Sequence, residues 1–207
     1  MKFNTNLRVV LLVILTIPLL LPSLASAFLV SDADTSKAAE LAKQGERYYT
    51  EAKWDSAVIT YDQARKIYEA NSLIYEALEC RKEIAKIYRW QEEYEKAIEE
   101  SRQLIRTAQR NRWQGPIIQG EATRALVLMN MGNFQKSLEI LDTGIDSTML
   151  AKAGPSDAGY YYSTLGQLYE STGERKRAIS NYNKVLSLNE AHPDMEPKLI
   201  SSVYNNI

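Results

Sequence analysis

Four small residues, Ala57, Ala97, Ser137 and Ala178, stand 40, 40 and 41 positions apart, and each is embedded in the same pattern of neighbours. Counting from Gly45, an aromatic follows three residues later (Tyr48), a small residue twelve later (Ala57), then Tyr61 and Ala64. The same offsets from Ala85 give Tyr88, Ala97, Ser101 and Leu104; from Ala125 they give Leu128, Ser137, Leu141 and Gly144; from Gly166 they give Tyr169, Ala178, Tyr182 and Val185. Three residues ahead of each second small residue come Trp54, Tyr94, Phe134 and, departing from the pattern, Arg175. A fixed period of this length marks one supersecondary unit used repeatedly. Turn signals fall between the two small residues of every unit: Glu51-Ala52-Lys53, Gln91-Glu92-Glu93, Met131-Gly132-Asn133 and Thr172-Gly173-Glu174. Gly132 and Gly173 suit the left-handed conformation that ends a helix. The unit is therefore an antiparallel helix pair whose small residues let the two backbones approach closely. One apolar face of each pair stays uncovered until a neighbour stacks on it, which builds a continuous core.

These residues resemble the tetratricopeptide repeat family from about Asp34 to the C-terminus, with Gly45/Tyr48/Ala57/Tyr61/Ala64 and Leu165/Gly166/Tyr169/Gly173/Ala178/Tyr182 carrying the likeness. A SEL1-like helical repeat is the lesser alternative. The resemblance implies an all-α fold: an α-solenoid of stacked antiparallel helix pairs wound into a right-handed superhelix. The repeat is longer than the family's usual 34 residues. The proline that usually closes each repeat is missing, and Pro116 and Pro155 are expected between later units instead. Four hairpins are expected at about residues 34–71, 72–113, 116–152 and 156–191, followed by a terminal helix within 193–207. That last helix is either a cap, which its Ser201-Ser202 and Asn205-Asn206 pairs suit, or the start of a truncated fifth unit.

Ahead of the array, Lys2 and Arg8 precede an uncharged apolar run from Val9, and Ala25-Ser26-Ala27 provides small residues for a peptidase. That order is the secretory signature, with cleavage expected after Ala27 and a linker over residues 28–33. Left uncleaved, the stretch Val9 to Val30 is long enough to anchor the chain in a membrane. The expected location is accordingly the periplasm or the exterior. Membrane contact, if any, runs through the N-terminal segment alone.

Composition narrows the chemistry. The 25 basic and 26 acidic residues leave a net charge of -1, so nothing draws the chain to nucleic acid. A single cysteine, Cys80, allows neither an intrachain disulfide nor a cysteine zinc cluster, and a single histidine, His192, forbids sites built on several imidazoles. His192 is expected as an exposed linker residue and Cys80 as a packed thiol. Carboxylates come in runs such as Glu92-Glu93 and Glu99-Glu100, the habit of solvated helix faces. The stretch Gly115 to Gly120 contains Pro116 and no lysine, so no phosphate-cradling loop is present. Most of the 13 tyrosines occupy motif positions and are expected in the core. No catalytic, cofactor-binding or metal-binding residues are expected.

Binding is what remains. The resemblance places the first helix of each unit on the concave face. It points to Ala42, Glu46 and Tyr49 in the first unit and to Lys82, Lys86, Arg89 and Trp90 in the second. Thr123, Leu126, Met129 and Asn130 follow in the third, then Tyr160, Ser163, Gln167 and Glu170 in the fourth. Lys82, Lys86 and Arg89 share one helical face, and with Leu126, Met129 and the Trp90 indole they form a basic strip beside an apolar step. Such a surface suits an acidic-hydrophobic peptide. The leading expectation is an exported, non-catalytic scaffold with a protein or peptide partner. The alternative is the N-terminal recognition region of a larger exported protein, such as a caspase-like peptidase. A third class, a small-ligand or glycan binder using the aromatic-lined groove, also fits.

Overall fold

The structure, a computed structural model, describes residues 31–207 and consists of ten helices with no strand among those residues. The expected leader over residues 1–27 and the first half of the linker lie outside the described residues. Four hairpins follow one another: α1 (Ser31–Thr50) with α2 (Trp54–Ala70), α3 (Ile74–Trp90) with α4 (Tyr94–Asn111), α5 (Gln114–Asn130) with α6 (Phe134–Gly144), and α8 (Pro155–Ser171) with α9 (Arg175–Ala191). A short α7 (Ser147–Lys152) bridges the third and fourth pairs, and α10 (Pro197–Asn206) ends the chain. The second helices begin at Trp54, Tyr94, Phe134 and Arg175, the positions singled out by the repeat.

Helix ends obey one rule. In six turns a backbone N–H just past the helix cap donates to the carbonyl five residues back, as Lys53 to Tyr48 (2.9 Å), Glu93 to Tyr88 (2.9 Å) and Glu174 to Tyr169 (2.7 Å). The residue just before each of these donors is left-handed: Ala52, Ser72, Glu92, Arg112, Gly132 and Gly173. This is the Schellman arrangement, which satisfies carbonyls that the last helical turn leaves free. Tyr48, Tyr88, Leu128 and Tyr169 are the acceptors within the units, so the residue three past the first small one is where each first helix hands over to its turn. A cation from the turn or just beyond it roofs three of these rings: Lys53 over Tyr48, Lys96 over Tyr88 and Arg177 over Tyr169, at 5.2–5.8 Å from the centroid.

The hairpin crossings are as close as the small residues predict. Ala57, Ala97, Ser137 and Ala178 are all buried to 2% exposure or less. A β-carbon on Gly45 would stand 2.9 Å from the Tyr61 ring, and one on Gly166 only 2.3 Å from Tyr182. Gly45 and Gly166 thus each carry a tyrosine of the second helix against the backbone. In the second and third units alanine takes the glycine's place, and the tyrosine becomes Ser101 or Leu141. In the third unit the size lost on one helix is gained on the other, which keeps that crossing filled.

Three local departures from the expected boundaries have simple causes. Helix α1 begins at Ser31, so residues 31–33, expected as linker, are helical. Pro116 sits in the first turn of α5 and Pro155 opens α8 rather than lying between units; both occupy positions where a missing N–H costs nothing. The hairpin expected over residues 116–152 is interrupted. Its second helix stops at Gly144, Ile145 is extended, and the Asp146 side chain accepts from the Met149 N–H at 2.8 Å to start α7. Ile145, Met149 and Leu150 join the core under the third and fourth units, so the detour stays packed.

Candidate binding cavity

The first helices α1, α3, α5 and α8 share the inner face, and α10 turns in beside α8 and α9. Together they surround one cavity of about 550 Å³. The residues just after each unit's first small position, Glu46, Lys86, Leu126 and Gln167, all line it. So do Tyr49, Lys82, Arg89, Trp90, Thr123, Tyr160 and Ser163.

The terminal helix completes the wall with Lys198, Leu199, Ser202 and Asn206. Leu199 and Val203 anchor α10 on the fourth unit, where Gly159 leaves room for Leu199 and Met195. Its outer edge reaches the far end of the array: the Lys198 ammonium pairs with the Glu46 carboxylate of α1, across 152 residues of chain. Both side chains are more than half exposed, so the contact positions the ends more than it stabilises them.

A second polar chain crosses the interior. Lys86 donates to Glu83 at 2.9 Å and to the Tyr160 hydroxyl at 3.4 Å, and that hydroxyl donates to Glu196 at 2.8 Å. The Glu196 N–H in turn donates to Ser156 at 3.1 Å, tying the segment ahead of α10 to the start of α8. Burial and the neighbouring Glu196 push the Tyr160 hydroxyl far above the usual tyrosine range, so it remains a donor. Burial works against charging Glu83, but Lys86 and Lys82 outweigh it and hold the carboxyl below its usual range. Glu83 in turn raises Lys86 against the opposing effect of burial.

Sequence comparison agrees with the helix-pair fold. The tetratricopeptide repeat model matches residues 160–192, which span the body of the α8–α9 hairpin. The α8–α9 hairpin is a tetratricopeptide repeat by this match, and the stacked helix pairs make the fold a TPR-type helical scaffold. A second model, described as soluble NSF attachment protein, SNAP, matches residues 21–115. No curated protein matches the sequence. Among solved structures, BtubC (BKLC) from P. vanneervenii superposes with a TM-score of 0.53 at 14% identity, covering 77% of this chain. The chain spans 66% of the length of that protein. A thermophilic TPR protein of Thermus thermophilus aligns over 81% of this chain and 99% of its own (18% identity, TM-score 0.36). MamA of AMB-1 aligns over 80% and 97% (15% identity, TM-score 0.34).

In this TPR-type scaffold the inner face gathers most of the residues expected there and releases four. Ala42 packs into the first core cluster. Met129 joins the third-unit core and accepts a contact from the Ser171 hydroxyl at 3.5 Å, while Asn130 is exposed at the end of α5. Glu170 accepts from the Tyr182 hydroxyl at 3.0 Å on the other side of α8. Met129 is taken up where α5 meets α8, whereas Glu170 turns to the Tyr182 hydroxyl of α9. Helices α5 and α8 pack directly on each other.

The expected basic strip is also largely neutralised. Lys82 meets Glu79 at 2.5 Å and Lys86 meets Glu83 at 2.9 Å. Arg89 differs: among the described residues no carboxylate lies within ion-pair reach, and its Nε is buried without a hydrogen-bond partner. Its guanidinium lies over the Trp90 indole, 4.3 Å from the ring centroid. Burial lowers its proton affinity, yet a guanidinium stays charged.

Glu83, Gln119, Ala122 and Thr164 line the cavity unannounced, as do Glu196, Lys198, Leu199, Ser202 and Asn206. Extending the repeat register into α10 aligns Ser202 with Tyr160 and Asn206 with Thr164, which is the signal that finds those two. Elsewhere the chain is chemically quiet. Cys80 is 4% exposed, and burial pushes its thiol up to about 12, leaving almost no thiolate at neutral pH. His192 is exposed after α9. Among the described residues there is no cluster of three or more His, Cys, Asp or Glu able to hold a metal, and no helix is long and apolar enough to cross a membrane.

Proposed function

We propose that this TPR-type protein is a non-catalytic scaffold that holds a segment of a partner protein in the cavity of its concave face. The observation that carries the reading is the cavity itself. Side chains from the first helices of all four units and from α10 converge on one space of about 550 Å³, the size range of specific ligand sites. The lining mixes apolar Ala122, Leu126 and Leu199 with Ser163, Thr164, Gln167 and Ser202, a combination that suits a peptide with both side chains and backbone to satisfy. The SNAP description, an attachment protein, fits an adaptor role. The apolar run ahead of residue 28, with its small residues at the end, supports export to the periplasm or beyond.

A photo-crosslinking residue placed at Leu126, on the inner face, tests the binding reading against one placed at exposed Ile59. Discrete adducts that map to one partner segment are expected from Leu126 and not from Ile59. Equal, diffuse labelling from both would remove the cavity as the binding site. N-terminal sequencing of the protein recovered from fractionated cells tests export. A mature chain starting near Phe28 in the exported fraction is expected, and an intact Met1 in the cytosolic fraction would refute it.

A further inference from the structure

We propose that Arg89 is the recognition point for an aspartate or glutamate side chain of the bound segment, an inference that rests on the cavity being the binding site. The other cations of the lining are answered within the protein: Lys82 by Glu79, Lys86 by Glu83 and Lys198 by Glu46. Among the described residues, Arg89 is the cavity-lining cation with no carboxylate within ion-pair reach, and its Nε is withdrawn from water with nothing to accept its proton. A charged donor left in that condition is an unmet demand, because burying it forfeits hydration that only a partner acceptor restores.

The surroundings fix which partner meets the demand. The Trp90 ring lies 4.3 Å from the centre of the guanidinium, and a carboxylate is the acceptor that meets a guanidinium with two parallel hydrogen bonds. Trp90 itself is 54% exposed, and apolar Ala122 and Leu126 line the same cavity. A chain passing over Trp90 would set its acidic residue on Arg89 and apolar residues on either side. A single uncompensated positive charge matches a monoanion. Glu46, Glu83 and Glu196 on the same lining oppose a phosphoryl group or nucleic-acid backbone with greater negative charge.

Selection of random twelve-residue peptides on the full chain tests this. Wild type is expected to enrich peptides with one Asp or Glu flanked by apolar residues, and the Arg89→Gln protein to lose that preference. For a synthetic peptide so selected, replacing its acid by the amide should weaken Kd by roughly thirty-fold, the loss typical of breaking a desolvated charge pair. Arg89→Gln should weaken it equally, and combining both changes should add little further. Arg89→Lys, which keeps charge without the fork, should fall between. Far-UV circular dichroism melts confirm that each variant is folded, and Lys136→Gln on the opposite helix of its unit serves as an unaffected control. Peptides without acidic enrichment, or an acid-to-amide change without effect, would overturn the Arg89 assignment while leaving cavity binding in place. A folded wild type that enriches no peptide would overturn the cavity reading and this one with it. Preference for phosphorylated peptides over carboxylate ones would likewise reject the proposal.

Discussion

At the scale of single residues, the fold depends on volume matched across each crossing. Gly166 and Tyr182 form one such pair, and the third unit solves the same problem with Ala125 and Leu141. Adding a methyl at Gly166 drives it into the Tyr182 ring, so Gly166→Ala should destabilise by about 2 kcal/mol despite alanine's better helix propensity. Tyr182→Leu alone should cost about 3 kcal/mol through the space it opens. The double variant recreates the third unit's pair, and urea unfolding should show it losing at least about 1 kcal/mol less than the sum. Strict additivity would mean that the two residues do not touch. The turns make a second residue-scale case. Ala52 and Glu92 hold φ of 55° and 61°, where Gly132 and Gly173 hold 75° and 78°. Non-glycine residues carry a steric penalty there, so Ala52→Gly and Glu92→Gly should each raise stability by about 0.5–1 kcal/mol. Gly132→Ala should lower it by a similar amount, with thermal melts as the check.

At the scale of elements, the small residue of each second helix governs whether a pair can close. Ala97 is fully buried between α3 and α4. Ala97→Arg forces a large charged side chain into that crossing and should destabilise by about 4 kcal/mol or more. Unfolding monitored by circular dichroism would check it, and a wild-type melt would mean the register of the repeat is wrong. The register was legible because the offset of small and aromatic residues is a local consequence of two helices joined by a short turn. The break at Ile145 was not. Nothing in the offsets of the third unit, which Ser137 and Leu141 satisfy, announces that α6 will stop after eleven residues. That outcome depends on Asp146 capping a new helix and on Met149 and Leu150 finding a place under the fourth unit.

At the scale of the whole molecule, the Glu46–Lys198 contact brings the two ends of the array together over the cavity. An exposed pair of this kind contributes about 0–1 kcal/mol, so Lys198→Ala should barely move the melting temperature. It should instead widen the distance distribution between spin labels at Lys43 and Ser201, both exposed, as measured by pulsed electron resonance. An unchanged distribution would show that packing of α10 alone sets the opening. Buried Cys80 leaves the labelling sites unambiguous.

Period, turn positions and the small–aromatic offsets follow from sequence alone, because each is fixed by contacts within about twenty residues. They determined the helix pairs and their order, while the inner face was what the family resemblance implied. Only the tertiary structure decided which inner-face residues remain available. Met129 is taken up as α5 meets α8, Glu170 turns to Tyr182 of α9, and α10 supplies a wall that α1 touches from the far end. Those outcomes turn on how far successive pairs rotate against one another, a sum of many packing contacts that no short stretch of sequence encodes.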